Sequence, residues 1–358
     1  MNSDPRRKQP GPAVGRRRKT LLTLLAFLVL AALAVAGWYY WRITRPVTDL
    51  KGKKSLFLYI RTGSDFNAVM DSLTRPGILT SPGDFAWLAD LKGYPQRVRP
   101  GRYRIVDRMP NNALVNLLRS GMQEPVMITI QNVTRPGDLA GRIGRRLETD
   151  SARLAALFRD YRFLSDYGVT PSTLFTLFIA DTYEFYWNTS PQQLFERMKK
   201  EHDRFWNDDR KQLAAARGLS VAGVVTLASI VEKESNKNDE RPVIAGVYLN
   251  RLRLGMALQA DPTVVFAWNV AGIRRVTGRH TQIDSPYNTY LHPGLPPGPI
   301  CLPGISSIEA VLHAEKHDYL YFCAREDLSG YHRFAATLDE HNRNARRYQK
   351  ALDKLRIH

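Results

Sequence analysis

The stretch that decides how this chain folds is VAGVVTLASIVEKES, residues 221–235. Val224, Leu227, Ala228 and Val231 recur at the i, i+3, i+4, i+7 spacing of one helical face, so the segment reads as a helix whose apolar stripe sits in a core. Glu232 and Glu234 end that helix, with Lys233 between them. At ~100° per residue each glutamate lies ~80° from the centre of the stripe, on opposite sides, so periodicity does not choose between them.

Downstream, Val243 to Leu254 is a second helix carrying Asn250 and Arg251, and residues 259 to 303 are rich in Pro, Gly, Asn and Tyr without periodicity. Long ordered loops of that composition carry function more often than packing. Tyr319-Leu320-Tyr321-Phe322 reads as a buried strand and Leu338 to Leu355 as a charged terminal helix. Upstream, Thr134 to Trp206 is helical in pattern, with Leu139, Ile143 and Leu147 on one stripe and a capping box at Ser190-Pro191-Gln192-Gln193. Before that lies a small α/β unit: strands at Leu56 to Ile60, Gly101 to Ile105 and Val126 to Ile130, and helices through Phe66 to Leu73, Pro82 to Leu91 and Pro110 to Gly121.

The chain begins differently. TLLTLLAFLVLAALAVAGWYYW, residues 20–41, carries no charge, and at ~1.5 Å per residue it spans ~33 Å, enough to cross a bilayer. Arg6, Arg7, Lys8, Arg16, Arg17, Arg18 and Lys19 precede it against Asp4 alone, and only Arg42 and Arg45 follow closely, which places the N-terminus in the cytoplasm. Trp38, Tyr39, Tyr40 and Trp41 form an interfacial aromatic belt. A cleaved signal peptide is the alternative, but the apolar run exceeds an h-region of ~7 to 15 residues. The net charge of +18 would suit nucleic acid, anionic lipid or another acidic polymer. Translocation of the folded part removes nucleic acid and leaves phospholipid heads or, better, the carboxylates of a cell wall.

Cys301 and Cys323 stand alone, with no CxxC spacing and no zinc-type Cys/His array. A disulfide and two buried thiols remain equal alternatives. His313 and His317 are four residues apart with Glu315 between them, but the order is not HExxH and no third ligand is evident, so no metal is expected. P-loop, GxGxxG and GxSxG patterns are absent.

Glutamates at the end of an apolar helix suit general-acid chemistry on a glycosidic bond, because burial raises a carboxyl pKa from ~4.3 and keeps its proton near neutral pH. Two solvated charges flanking Lys233 are the plainer alternative. The residues that lift the first reading are Ala228-Ser229-Ile230-Val231-Glu232-Lys233-Glu234-Ser235, which resembles the catalytic-helix signature of the MltG (YceG-like) family of endolytic murein transglycosylases. Tyr248 to Leu252, Leu258 to Val264, Tyr287 to Tyr290, Gly294 to Gly298, Tyr319 to Phe322 and His341-Asn342 follow in the family's order. The chain departs from the family at Ala180, before Asp181-Thr182-Tyr183, where proline is usual, and at Leu174 to Phe178.

The resemblance implies that Glu234 is the catalytic acid, with Glu232 as the secondary candidate, and that Glu234-Ser235 matches the Glu-Ser pair of lytic transglycosylases. It implies cleavage of the β-1,4 bond between MurNAc and GlcNAc in nascent strands, with ring closure to 1,6-anhydroMurNAc, no cofactor, and peptidoglycan synthases nearby. Gln259, Asp261, Asn288, Tyr290, Ser235 and Asn250 are the candidate sugar contacts. Asp261 before Pro262 also suits a helix cap, Asn288 a turn, and Asn250-Arg251 a buttress for the loop.

The expected fold is α+β: a basic cytoplasmic tail (1–19), a single transmembrane helix (20–42), a linker (43–54), a small LysM-like α/β domain (55–131) and a mixed α/β YceG-like catalytic domain (132–358). The expected partners are peptidoglycan glycan strands and the inner membrane, with the catalytic domain periplasmic or otherwise extracytoplasmic. A wall-binding scaffold without turnover and a two-carboxylate hydrolase using Asp261 as base are the rival readings.

Overall fold

The computed structural model describes residues 14–354 apart from 271, 272, 274 and 275, with side chains in the first helix from Arg18 onward, so most of the basic tail lies outside the described residues. That helix, α1, is Val14–Thr44. Within its stretch Arg18–Thr44 an 18-residue window has mean hydropathy 2.5 and no buried residue, so the helix is long and apolar enough to cross a membrane. Pro46 stops it, because proline cannot supply the next helical N–H.

The chain divides into two compact units, Met1–Glu124 and Pro125–His358. In the first, β1 (Ser55–Ile60), α2 (Phe66–Thr74), α3 (Pro82–Leu91), β2 (Gly101–Val106) and α4 (Asn111–Ser120) follow α1. The strands pair antiparallel from Ser55 opposite Val106 to Ile60 opposite Gly101. Leu58, Ile60, Tyr103 and Ile105 face inward onto Val69, Leu73, Phe85, Leu88 and Leu114, while Phe57, Tyr59 and Arg104 face out, the alternation of a one-sided sheet. Asp65 caps α2 by accepting from the Ala68 N–H at 2.8 Å. The segment expected as a linker is packed: Val47 and Leu50 are buried in this core directly after α1.

The second unit opens with β3 (Val126–Ile130), which the sequence reading grouped with the small unit and which pairs instead with β4 (Asp181–Phe185). Between them α5 (Pro136–Gly144), α6 (Ser151–Leu157) and α7 (Tyr161–Ser165) pack on an aromatic core of Phe158, Phe178 and Phe195. α8 (Pro191–Phe205) starts with the anticipated capping box, Ser190 and Gln193 exchanging both bonds.

After α9 (Asp208–Ala216) comes the central helix α10 (Val221–Glu234), packed against α11 (Arg241–Arg253) and against α13 (Ile305–Leu312). Its apolar stripe proves to be a full wrap: every residue from Val224 to Val231 is buried. Thr226 and Ser229 satisfy their hydroxyls in that core by bonding back to the carbonyls of Ala222 and Thr226, each at 2.7 Å. Within the loop expected at 259–303 the structure adds a helix, α12 (Asp261–Trp268), with Pro262 in its first turn. A hairpin of β5 (Tyr321–Ala324) and β6 (His332–Ala335) and the terminal α14 (Leu338–Lys354) complete the unit. Cys301 is buried beside Ser229, Cys323 lies on β5, and both are free thiols.

Candidate active site

α10 ends where Ser235 turns to extended backbone at φ −140° and ψ 136°. This leaves Glu234 as the last helical residue, lining a cleft of about 760 Å³ together with Lys233, Asp261, Phe266, Ile300 and Tyr348. The residue keeps a partly exposed rim while its carboxyl group is densely enclosed. Oε1 of Glu234 accepts a 2.6 Å hydrogen bond from the Tyr248 hydroxyl on α11. Burial pushes the Glu234 pKa up to about 7; the Tyr248 bond opposes this, the Asp261 charge adds to it and the Arg251 charge opposes it again. A carboxyl poised there is half protonated at neutral pH, the condition under which it gives and takes a proton with similar ease.

Glu232 turns the other way. Its Oε2 accepts from the Gly304 N–H at 2.6 Å and the Ser307 hydroxyl at 2.9 Å, so it serves as an external cap for the N-terminus of α13. The tie that periodicity left is therefore resolved geometrically: one glutamate opens into the cleft and its neighbour is spent on holding a helix. Replacing Glu232 with Ala strands those donors and is expected to cost about 2 kcal/mol of stability while leaving the rate per folded molecule little changed. Thermal unfolding and activity assays on the same preparation check this, and a lost rate with unchanged stability would contradict it.

Around the cleft the other candidates separate into two groups. Asp261 opens α12 and is exposed, yet it does not cap that helix; its Oδ1 accepts from the Tyr290 hydroxyl at 2.6 Å. Burial, then the Asp261 carboxylate, hold the Tyr290 phenol protonated well above its ordinary range. Asp261 and Tyr290 thus form one polar unit whose charge reaches Glu234. Gln259 is exposed with a left-handed φ of 51°, and its side-chain oxygen accepts from Arg251 at 3.3 Å.

The second group braces. Asn288 is fully buried; its amide donates to the carbonyls of Thr281 and Ile283 at 3.0 and 2.8 Å, and its oxygen accepts from the Tyr290 N–H, so it closes the loop that carries Tyr290. Asn250 donates to the carbonyls of His317 and Tyr319 at 2.7 and 3.1 Å. Ser235 is buried and donates to Glu240, which also takes the backbone and ring nitrogens of His332, each at 2.7 Å. Its backbone oxygen accepts from Arg241 at 3.0 Å, so the turn after Glu234 is fixed on both sides.

His313 and His317 do not share a helix, because α13 ends at Leu312. His317 accepts from the Tyr319 N–H on Nδ1 and donates from Nε2 to the Val243 carbonyl, which leaves it no lone pair for a metal. Among the described residues no three His, Cys, Asp or Glu side chains gather in a metal-holding group.

Two further residues bear directly on Glu234: Tyr248, to which the sequence alone assigned no role, and Arg251, expected only as a buttress for the loop. Tyr248 is buried and edge-packed on Phe322 at 5.8 Å. Arg251 is buried and donates to the carbonyls of Leu320 and Leu258 at 2.7 and 2.8 Å, bringing a fixed positive charge under the cleft. Both lie in the Tyr248 to Leu252 motif, and three residues apart on a helix they share a face. Replacing Tyr248 with Phe removes a bond that favours the ionised Glu234 and is expected to lower the rate and move the alkaline fall of kcat/KM to higher pH. A pH–rate profile checks this; a fall moved to lower pH would contradict it.

The YceG-like family profile matches residues 58–347. The chain is similar to a Bacillus subtilis protein named endolytic murein transglycosylase, 30% identical over 324 residues that cover 86% of this chain and 88% of that one. It is also similar to a Streptococcus pneumoniae protein of the same name, 28% identical over 90% of this chain and 64% of that one. Among solved structures, a YceG-like protein of Listeria monocytogenes superposes with a TM-score of 0.53 at 29% identity, covering 82% of this chain and 99% of that one.

Proposed function

This chain belongs to the YceG-like family, and from that premise we propose that it is an endolytic lytic transglycosylase of peptidoglycan with Glu234 as its acid and base. The observation that carries the reading is the Glu234 carboxyl, lining the cleft, enclosed, held by Tyr248 and pushed up to about 7 by burial. With Oε1 held by Tyr248, Oε2 is the oxygen left to carry the proton. That proton goes to the β-1,4 glycosidic oxygen as its bond to MurNAc C1 breaks, releasing the GlcNAc hydroxyl. The carboxylate so formed takes the proton of the MurNAc C6 hydroxyl as O6 bonds to C1. A 1,6-anhydro ring closes, no water is consumed, and Glu234 is again protonated. The fixed Asp261 charge favours the oxocarbenium character that develops at C1 between the two steps.

One protein carboxylate suffices because the substrate brings its own nucleophile. Asp261 as a hydrolytic base is the second reading, motivated by its place in the same cleft, but its Oδ1 is already engaged by Tyr290. Gln259, Tyr290 and the cleft's aromatic wall are proposed to line the sugars, with Asn288, Asn250 and Ser235 positioning them. The first unit is read as the LysM-like domain and the second as the catalytic domain, with α1 anchoring both to the inner membrane, the N-terminus cytoplasmic and the remainder extracytoplasmic. Termination of nascent strands beside the synthases follows from that placement. The test is the length distribution of uncrosslinked glycan strands during digestion: a rapid fall in mean length without release of disaccharides is expected, and disaccharide release from strand ends, or no cleavage, would overturn endolytic action.

A further inference from the structure

Near α1 the first unit leaves Leu91, at the end of α3, uncovered by its described elements. α3 meets the C-terminal end of α1 through two side chains, Asp84 and Trp87. Asp84, in the first turn of α3, accepts from Nε of Arg42 at 2.6 Å and pairs with Arg45, whereas the Trp87 ring packs at a tilt against Tyr39, centroids 5.5 Å apart, and lies under the Arg42 guanidinium at 4.3 Å. Advancing along α3 therefore moves back along α1, from Arg45 towards its apolar run. Leu91 lies one turn beyond Trp87 on the same face, ~6 Å further in that direction, and is 67% exposed.

Leu91 is held in place rather than left on a fraying end. Lys92 directly after it donates to the side chains of Asn112 and Asn116 on α4. Burial, then the Arg119 charge, push the Lys92 ammonium below its ordinary value. Arg97, Arg99 and Arg119 line a hollow of about 310 Å³ next to it. An apolar tip followed by cations, continuous with the aromatic belt at Trp38 to Trp41, is the order of groups that a bilayer surface accepts.

Resting on the reading of α1 as a membrane anchor, we infer that α3 is a second membrane contact: Trp87 and Leu91 seat the first unit on the phospholipid surface beside the anchor, and the arginine hollow supplies cations for lipid phosphates. The unit then rides on the bilayer instead of swinging from it, consistent with the burial of Val47 and Leu50 directly after α1.

The full chain, with Cys301 and Cys323 replaced by Ala, is reconstituted in phosphatidylcholine and phosphatidylglycerol vesicles carrying one cysteine at a time: Leu91→Cys, Leu28→Cys in α1, and Lys53→Cys in an exposed turn. Each carries an environment-sensitive fluorophore and meets either lipids with a shallow nitroxide or aqueous iodide. The expected result is lipid quenching at position 91 several-fold stronger than at 53, with iodide protection. Position 28 quenched by lipid while 91 behaves like 53 would overturn this inference and leave the anchor standing. Absence of lipid quenching at 28 as well would overturn the anchor reading and this inference with it.

Discussion

Replacing Glu234 with Gln is expected to lower the rate of glycan-strand cleavage by at least about 10²- to 10⁴-fold, the range that a positioned general acid contributes. The amide keeps the shape of the side chain and still accepts from Tyr248, so the cleft and its affinity for strands should survive. What is lost is the transferable proton, which serves both half-reactions, so the defect falls on kcat rather than on binding. Initial rates at saturating strand concentration, with binding measured separately, check this. A parallel Glu232→Gln variant with near-normal rate separates the two carboxylates, since Glu232 is engaged by Gly304 and Ser307.

The same substitution is expected to stabilise the protein at alkaline pH. Glu234 has a folded-state pKa of about 7 against an ordinary value of 4.5. Below both values the folded and unfolded chains each hold the proton, and the group costs nothing. Between them the folded chain keeps a proton that the unfolded chain releases, so stability falls as pH rises, and above about 7 the full cost of an ionised buried carboxyl is present, on the order of 3 kcal/mol. Glu234→Gln removes that cost. Thermal unfolding of the full chain in detergent should show the variant close to wild type at low pH and clearly more stable above pH ~8; an equal difference at both pH values would mean that Glu234 is not the titrating group. Activity follows the same proton, falling as pH rises through about 7.

What could be read from the chain was local, and what could not was contributed by residues far away in sequence. The apolar spacing at Val224, Leu227, Ala228 and Val231 gave away the buried helix, and Ser190 with Gln193 marked the start of α8, because each signal is complete within one or two turns. The difference between Glu232 and Glu234 is not of that kind. It depends on Gly304 and Ser307, more than 70 residues on, and on Tyr248 across a helix pair. Residue types and spacing carry no record of those contacts, so only the family resemblance singled out Glu234 beforehand.

α12 was legible only at its start, where Asp261 before Pro262 suits a helix N-terminus; Asp261 to Trp268 is short and apolar on several faces, so its helical period is masked. Val126 to Ile130 was recognisable as a strand, but its partner Asp181–Phe185 lies three α-helices further along, and pairing is a tertiary fact. Asn288 illustrates the same limit at a single residue: a buried amide bracing its own loop and an amide offered to a sugar have the same letter.

The central claim is that Glu234 alone supplies the proton chemistry and the substrate closes on itself. The most direct measurement is the mass of the new strand ends released from purified peptidoglycan by the full chain and by its Glu234→Gln and Glu232→Gln variants. The account predicts MurNAc ends lighter by one water than reducing ends, made by wild type and Glu232→Gln and lost with Glu234→Gln. Reducing ends from the wild type would contradict it, showing that water and a second carboxylate, with Asp261 first in line, complete the reaction.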